Sequence, residues 1–428
     1  MNKSNFSEKL QRFALLMQSN RYLQAISNGL MSALPILMIG SFAVLLAVLP
    51  IAPWQTFIKT TGIQAILLIP YNIAIGCLAL YVSFLVSYKL VESFEKEPVV
   101  PALVSVFCFL LVTPISIFEK QSAFLLSWFG VQGLFTALIV SLVAARLYIY
   151  VLDKNWTIKM PAGVPPTISN VFSGLIPAVI VGLFFLIIAG VFSHTHFKSF
   201  TQFIYTLVQT PLSSLGSNFI SLFVIVLIQM ILWFFGMHGS LVVSSIITAV
   251  YLPMDLQNLQ AFSTGQPLPH ILGQQFYNLY AGIGGAGGTL GLVILMLFIA
   301  KSKRLKTLGK LAIIPGCFTI NEPVVFGVPM MFNPIMAIPF ISVPLIQILV
   351  AYIVTYIGLV PPPAGVQVPF GVPVIVAGIM QGSWRIGLLQ LVLIVLSLVI
   401  YYPFFKKLDD QSLKEELNAE KTNQQVQA

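Results

Sequence analysis

Apolar stretches of about twenty residues recur from one end of this chain to the other, and as helices most are long enough to cross the roughly 30 Å hydrocarbon core of a bilayer. The clearest run over Ser27–Leu49, Ile66–Tyr88, Val99–Ile117, Phe124–Leu147, Val171–Phe192, Phe219–Phe235, Pro334–Gly358 and Ile386–Phe404. Leu290–Ala300 is shorter and becomes adequate only if the glycine-rich stretch from Gly282 joins it. Of the 428 residues, 57% are hydrophobic and 8% charged, and no soluble fold has interior enough for that composition. The expected fold is therefore an all-α polytopic membrane protein without an attached soluble domain. Met1–Asn28 holds no short apolar core followed by a small-residue cleavage site, so the first spanning helix is expected to direct insertion itself.

Two segments break the pattern. Gly236–Gln275 and Lys310–Asn333 mix apolar residues with Gly, Pro, Asn, His and Glu, which a lipid-facing helix would not carry. Irregular backbone at membrane depth survives only where protein or an aqueous cavity surrounds it, so both are candidates for a translocation site. With the N-terminus inside, all but Lys59, Lys120, Lys198 and Arg385 of the 22 Lys and Arg residues fall on the cytoplasmic side. That asymmetry assigns the formal charge of +9 to membrane orientation rather than to nucleic acid. The parity of crossings closes if Pro361–Trp384 dips in and returns and the segment after His238 makes a net passage outward.

Cys77, Cys108 and Cys317 stand at no metal-ligand spacing, and no metal, cofactor or disulfide framework is expected. Gly282–Gly291 reads GIGGAGGTLG without a following Gly-Lys-Ser/Thr, which disfavours nucleotide-driven transport by this chain. Its glycines suit close helix packing or, alternatively, approach of backbone to a ligand.

Ionisable residues inside a membrane region are costly and tend to be functional. Eleven of the 13 acids lie in loops or tails, leaving Asp255, read as a solvated carboxylate at a hairpin end, and Glu322. Glu322 sits among apolar residues and helix breakers, where burial would raise its pKa and equip it to take a proton from a hydroxyl. Among the histidines, His238 stands out in Trp233-Phe-Phe-Gly-Met-His-Gly-Ser, where an apolar helix meets a Gly-His-Gly turn. It is either a helix-to-helix hydrogen-bonding residue or part of a ligand site. The aromatic residues beside it would suit the apolar face of a sugar, although Trp233 could equally belong to an interfacial belt.

Three stretches carry a resemblance: Met160-Pro-Ala-Gly-Val-Pro-Pro-Thr-Ile-Ser, Trp233 to Gly239, and Asn321-Glu-Pro-Val-Val-Phe-Gly-Val-Pro followed by Asn333-Pro. Together, in order and over nearly the whole chain, they resemble the lactose/cellobiose family of phosphotransferase-system permeases, the enzyme IIC components. The resemblance implies about ten transmembrane helices with re-entrant hairpins and amphipathic helices, assembled as a homodimer in the bacterial cytoplasmic membrane with both termini cytoplasmic. It further implies a dimerisation scaffold over 1–195, a sugar-binding transport domain over 196–405 and a polar tail over 406–428. Glu322 and His238 map onto the pair beside the hydroxyl to be phosphorylated, and Asn321, Trp233 and Gly239 onto the sugar site. The sugar, a β-linked disaccharide such as cellobiose, would be phosphorylated by a separate IIB protein, charged at a cysteine through IIA, HPr and enzyme I. One motif departs: related members commonly show Pro-Trp-Thr-Thr-Pro where this chain has Pro369-Phe-Gly-Val-Pro373. Phe370 keeps an aromatic face there but loses the indole donor, and could contact sugar or simply pack. The main rival is a proton-coupled sugar symporter in which Glu322 carries the proton, and a sugar-binding receptor without flux is a third class.

Overall fold

The computed structural model describes residues 19–49, 51–118, 121–161, 171–209, 211, 216–328, 330, 332–369 and 371–427. They form two compact units, one drawn from Leu16–Leu215 and Ser245–Gln266, the other from Gly216–Ser244 and Pro267–Ala428.

In the first unit, Leu78–Glu92 is the central helix and packs against Arg21–Ser32, Val99–Val112 and Leu134–Asp153. Small residues let these helices approach closely, as lipid-embedded bundles require. A β-carbon on Gly29 would come within 2.6 Å of Val86 Cγ2. The Ser105 hydroxyl donates to the Ser83 carbonyl at 2.8 Å, and the Ser87 hydroxyl to the Pro101 carbonyl at 3.3 Å, so buried hydroxyls are satisfied across the seam. Two helix pairs are bent: Arg21–Ser32 with Leu34–Val48 by 43°, and Ala52–Thr60 with Ile63–Gly76 by 90°, the latter around Gly62 at φ +74°. A two-stranded antiparallel hairpin, Ile115–Phe118 with Gln121–Phe124, departs from the all-helical expectation. Helix Val99–Val112 stops just before Pro114, whose fixed φ and missing N–H disfavour its continuation, and β-branched and aromatic residues follow.

In the second unit, Phe219–Phe234 packs on Pro334–Tyr356, which packs on Trp384–Gln427. Leu290–Phe298 lies between Lys303–Cys317 and Trp384–Gln427, and at Gly291 the approach is so close that a β-carbon would stand 2.4 Å from the Leu398 nitrogen.

The membrane reading holds at the level of several long apolar helices. Five of the described helices are long and apolar enough to span, or up to seven if each bent pair is one span, against the ten or so expected. The expected Leu290 crossing stays short, because the stretch from Gly282 is not helical and turns through Gly284, Gly285, Gly287 and Gly288 at positive φ. Lys310–Asn333 is broken as expected: helix Lys303–Cys317 ends inside it, Thr319 stands at φ +65°, and the short helix Glu322–Gly327 follows. Gly236–Gln275 is irregular only at 236–238 and 264–273, because between them Gly239–Ser263 is one 25-residue helix that accommodates Pro253. Asp255 accordingly lies inside that helix at 1% exposure, not at a solvated hairpin end. The polar tail is also no separate segment, since Trp384–Gln427 is a single helix of 44 residues.

Candidate functional site

Three segments of the second unit converge: the turn between helices Phe219–Phe234 and Gly239–Ser263, the glycine-rich loop from Gly282 to Thr289, and the stretch from Thr319 to Phe332. The Phe332 N–H donates to the Phe234 carbonyl at 3.1 Å, which ties the chain following Glu322 to the end of the helix carrying Trp233. The Phe332 ring lies 6.1 Å from that of Phe234 and 5.8 Å from that of Phe235.

Trp233 is buried and its side chain is fixed from below. Its indole N–H donates to the Ser240 hydroxyl oxygen at 3.1 Å, and the Gln229 amide donates to the same oxygen at 3.0 Å. Tyr277 O–H in turn donates to the Gln229 side-chain oxygen at 2.9 Å. The indole N–H is thus committed within the protein, and what Trp233 offers a ligand is ring surface. Gly239 makes this arrangement possible, because a β-carbon there would stand 2.1 Å from the Gln229 carbonyl oxygen and 3.0 Å from Trp233 Cδ1.

The exposed His238 ring lies 4.3 Å from that of Trp233, tilted by 47°. The Leu241 N–H approaches His238 Nδ1 at 3.3 Å, leaving Nε2 as the nitrogen turned to other partners. Glu322 heads the short helix Glu322–Gly327, with Pro323 in its first turn. Burial is the main influence on the His238 imidazole and lowers its pKa, while the Glu322 charge is a smaller influence in the opposite direction. The two residues, far apart in sequence, therefore share one electrostatic neighbourhood. Glu322 is exposed, so the expected burial of its carboxylate is not found and the desolvation premise for its basicity falls away.

Asn321, 6% exposed, is anchored by the glycine-rich loop. Its amide donates to the Ala286 carbonyl at 2.7 Å and to Thr289 Oγ1 at 2.9 Å, and Thr289 passes its own hydrogen to the Gly284 carbonyl at 2.8 Å. Both amide hydrogens are spent, so only the oxygen of Asn321 remains to meet a ligand, as an acceptor. Of the two readings of the glycines, packing is what these distances describe. Gly285 lies under Asn321, Gly287 against Phe340, and the carbonyls of Gly287 and Gly288 accept from Tyr401 and Ser397.

Phe370 lies outside the described residues, as does most of the Met160–Ser169 motif. The extended segment before Phe370 is held by glutamines. Gln381, 1% exposed, accepts from the Gly365 and Val366 N–H groups at 3.1 and 3.2 Å and returns a bond to the Val366 carbonyl at 2.8 Å. Gln275 links Gln367 and Gln381 at 3.3 and 3.4 Å. Ser240, Gln229, Tyr277 and Thr289 were not anticipated from sequence. A usable signal existed for Gln229, a lone amide in an otherwise apolar helix, where an intramembrane polar group needs a partner.

The family model for the phosphotransferase system, EIIC, matches residues 27–344. The lichenan permease IIC component of Bacillus subtilis strain 168 is 36% identical over 439 residues, covering 98% of this chain and 97% of that protein. The cellobiose-specific EIIC component of Geobacillus stearothermophilus is 36% identical over 413 residues, covering 92% of each. Among solved structures, the transporter ChbC, the IIC component of an N,N'-diacetylchitobiose-specific phosphotransferase system, superposes with a TM-score of 0.88 at 36% identity. That superposition covers 93% of this chain and 96% of ChbC.

Proposed function

This chain belongs to the phosphotransferase system EIIC family, and from that premise we propose that it binds a β-linked disaccharide such as cellobiose, carries it across the bacterial cytoplasmic membrane and presents it to a separate phosphorylated IIB protein. The observation that carries this reading is the end-to-end match, in sequence and fold, to disaccharide IIC components. IIB would receive its phosphoryl group through IIA, HPr and enzyme I. The relatives described above are all phosphotransferase permeases and lend the symporter reading no support.

At the site, Glu322 is the general base and His238 the hydrogen-bond donor to the reacting hydroxyl. The sulfur–phosphorus bond of the IIB phosphocysteine breaks as the oxygen–phosphorus bond forms. The hydroxyl proton passes to the Glu322 carboxylate and the thiolate remains on IIB. Such a transfer depends mainly on positioning and electrostatics, with a base removing the proton. Support comes from the shared neighbourhood of Glu322 and His238, and from the Leu241 N–H on Nδ1, which favours a neutral imidazole with its proton on Nε2. The Trp233 face stacks on the sugar, Asn321 accepts a sugar hydroxyl, and Gly239 keeps the turn close. Phe370 supplies the second aromatic face. Residues 1–195 serve as the dimerisation scaffold of a homodimer, with 196–405 carrying the sugar and 406–428 on the cytoplasmic side. Charged product is trapped because it cannot recross hydrocarbon.

Vesicles bearing the protein are expected to accumulate sugar phosphate only when IIB, IIA, HPr, enzyme I and phosphoenolpyruvate are all supplied. Accumulation of unmodified sugar driven by a proton gradient would overturn this reading. A panel of labelled disaccharides identifies the substrate.

A further inference from the structure

At one end of the first unit, helix Arg21–Ser32 begins where Leu78–Glu92 and Leu134–Asp153 finish. Phe94, just past the last turn of Leu78–Glu92, carries a guanidinium from each neighbour. Arg21 Cζ stands 4.5 Å from its ring centroid and Arg146 Cζ 5.3 Å. An aromatic face attracts a cation within about 6 Å, so the ring holds both arginines in place. It neutralises neither. Among the described residues the two guanidiniums have no hydrogen bond or ion pair, although they repel each other across one ring. The acids at this end are committed elsewhere. Glu92 pairs with Lys89 at 2.8 Å, Asp153 pairs with Lys96 at 2.7 Å, and the Glu97 carboxylate accepts from the Val99 N–H at 3.1 Å. Glu95 is exposed and pairs with neither arginine. Helix Arg21–Ser32 has no acid in its first turn, so its positive end adds to the field of the two charges.

The depth of Arg146 indicates which anion meets them. Helix Leu134–Asp153 has 20 residues, the length that crosses the hydrocarbon core, and Arg146 lies roughly 10 Å short of its end. Val143, Arg146, Tyr150 and Lys154 recur at helical spacing and are all exposed, with Lys154 Nζ 5.6 Å from the Tyr150 ring centroid. The order along this stripe, apolar residue, arginine, tyrosine, lysine, follows the passage from acyl chains through the interface to water. A guanidinium on such a face is costly without a counter-charge, and the anion at that depth is lipid phosphate. We propose that Arg21 and Arg146 together bind the headgroup phosphate of an anionic phospholipid. Arginine suits the task, because its planar donors match phosphate oxygens two at a time. A zwitterionic headgroup would bring a cation toward two charges that are already unpaired. Lysines near a membrane surface attract anionic lipid diffusely, whereas guanidiniums fixed on a ring define a site. The inference rests on the membrane placement of these helices and is independent of the sugar site.

The test uses the full chain purified in neutral detergent, with bound lipid counted by native mass spectrometry. Phosphatidylglycerol is expected to bind the wild type at least tenfold more tightly than phosphatidylcholine does. R21Q/R146Q is expected to lose about tenfold of that affinity, while K154Q, which removes a cation of the same stripe, stays within twofold. Should the double variant fold poorly, R146K, which keeps the charge and loses the planar fork, is expected to lose three- to fivefold. Equal affinity of the wild type for the two lipids overturns the inference. So does a loss in K154Q as large as in the arginine variant, which would mark diffuse surface charge. Displacement of the lipid by millimolar inorganic phosphate would identify a soluble ligand and overturn it too. The same holds if the arginine variant, without added lipid, dissociates a dimer that the wild type keeps, since a second copy of the chain would then be the partner.

Discussion

Asn321 lies directly over Gly285: a β-carbon at residue 285 would stand 2.3 Å from Asn321 Cγ, and Gly285 sits at φ +97°, a conformation that L side chains rarely adopt. Two independent obstacles therefore exclude any larger residue. G285A is expected to abolish sugar binding or lower Tm by several degrees. The control is G190A, in a helix where nothing stands within 4 Å of the added carbon; it should leave Tm and uptake unchanged or slightly improved.

The Ser240 hydroxyl receives both the Trp233 indole and the Gln229 amide, so S240A leaves two buried donors without their acceptor. A cost of about 1–3 kcal/mol is expected for stranding such groups. Sugar KM should rise with little change in kcat, and S240T should restore it. In a W233F background, which lacks the indole N–H, S240A should cost less than in the wild type; equal costs in the two backgrounds would show that Ser240 does not act through Trp233.

Glu322 and His238 are separable by chemistry. E322Q keeps shape and hydrogen bonding but loses basicity, so sugar binding should persist while phosphorylation falls by about 10²- to 10⁴-fold. H238A should weaken both binding and transfer. Equilibrium binding of labelled cellobiose, measured beside single-turnover phosphorylation, distinguishes the two. Activity retained in E322Q would refute the assignment of the base.

At about 1.5 Å per residue, the C-terminal helix far outruns the roughly 30 Å core, and Glu416 lies beyond its apolar stretch, which ends near Phe404. The Ser302 hydroxyl, then the Arg304 and Lys303 N–H groups, hold the Glu416 carboxyl below its usual range. Because the folded pKa is lowered, the stabilisation is complete above the unfolded value of about 4.3 and is lost as pH falls through the folded value. Purified wild type should therefore be more stable than E416Q at pH 7, and the gap in Tm should close below about pH 4. A gap independent of pH would show that the carboxylate charge contributes nothing.

Chemistry was more legible in the sequence than path. Glu322 and His238 stand out because ionisable groups beside helix breakers are uncommon in an apolar chain. The partner of the glycine run was not legible, since Asn321 lies 35 residues from Ala286 and only the fold pairs them. Asp255 was misread because Pro253 suggested a break, whereas the helix continues through it, as membrane helices do when neighbouring groups take over the lost bond. The tail was read as polar, which it is. Polarity marks where water begins, and says nothing about whether the helix ends there.

Gln381 gives the extended backbone at Gly365 and Val366 the partners that a helix or strand would otherwise supply, from a side chain that lies outside the Pro369–Pro373 motif. Those three bonds need no side chain from the motif itself. Side chains of the motif can therefore be exchanged without removing a partner from the Gly365 or Val366 backbone.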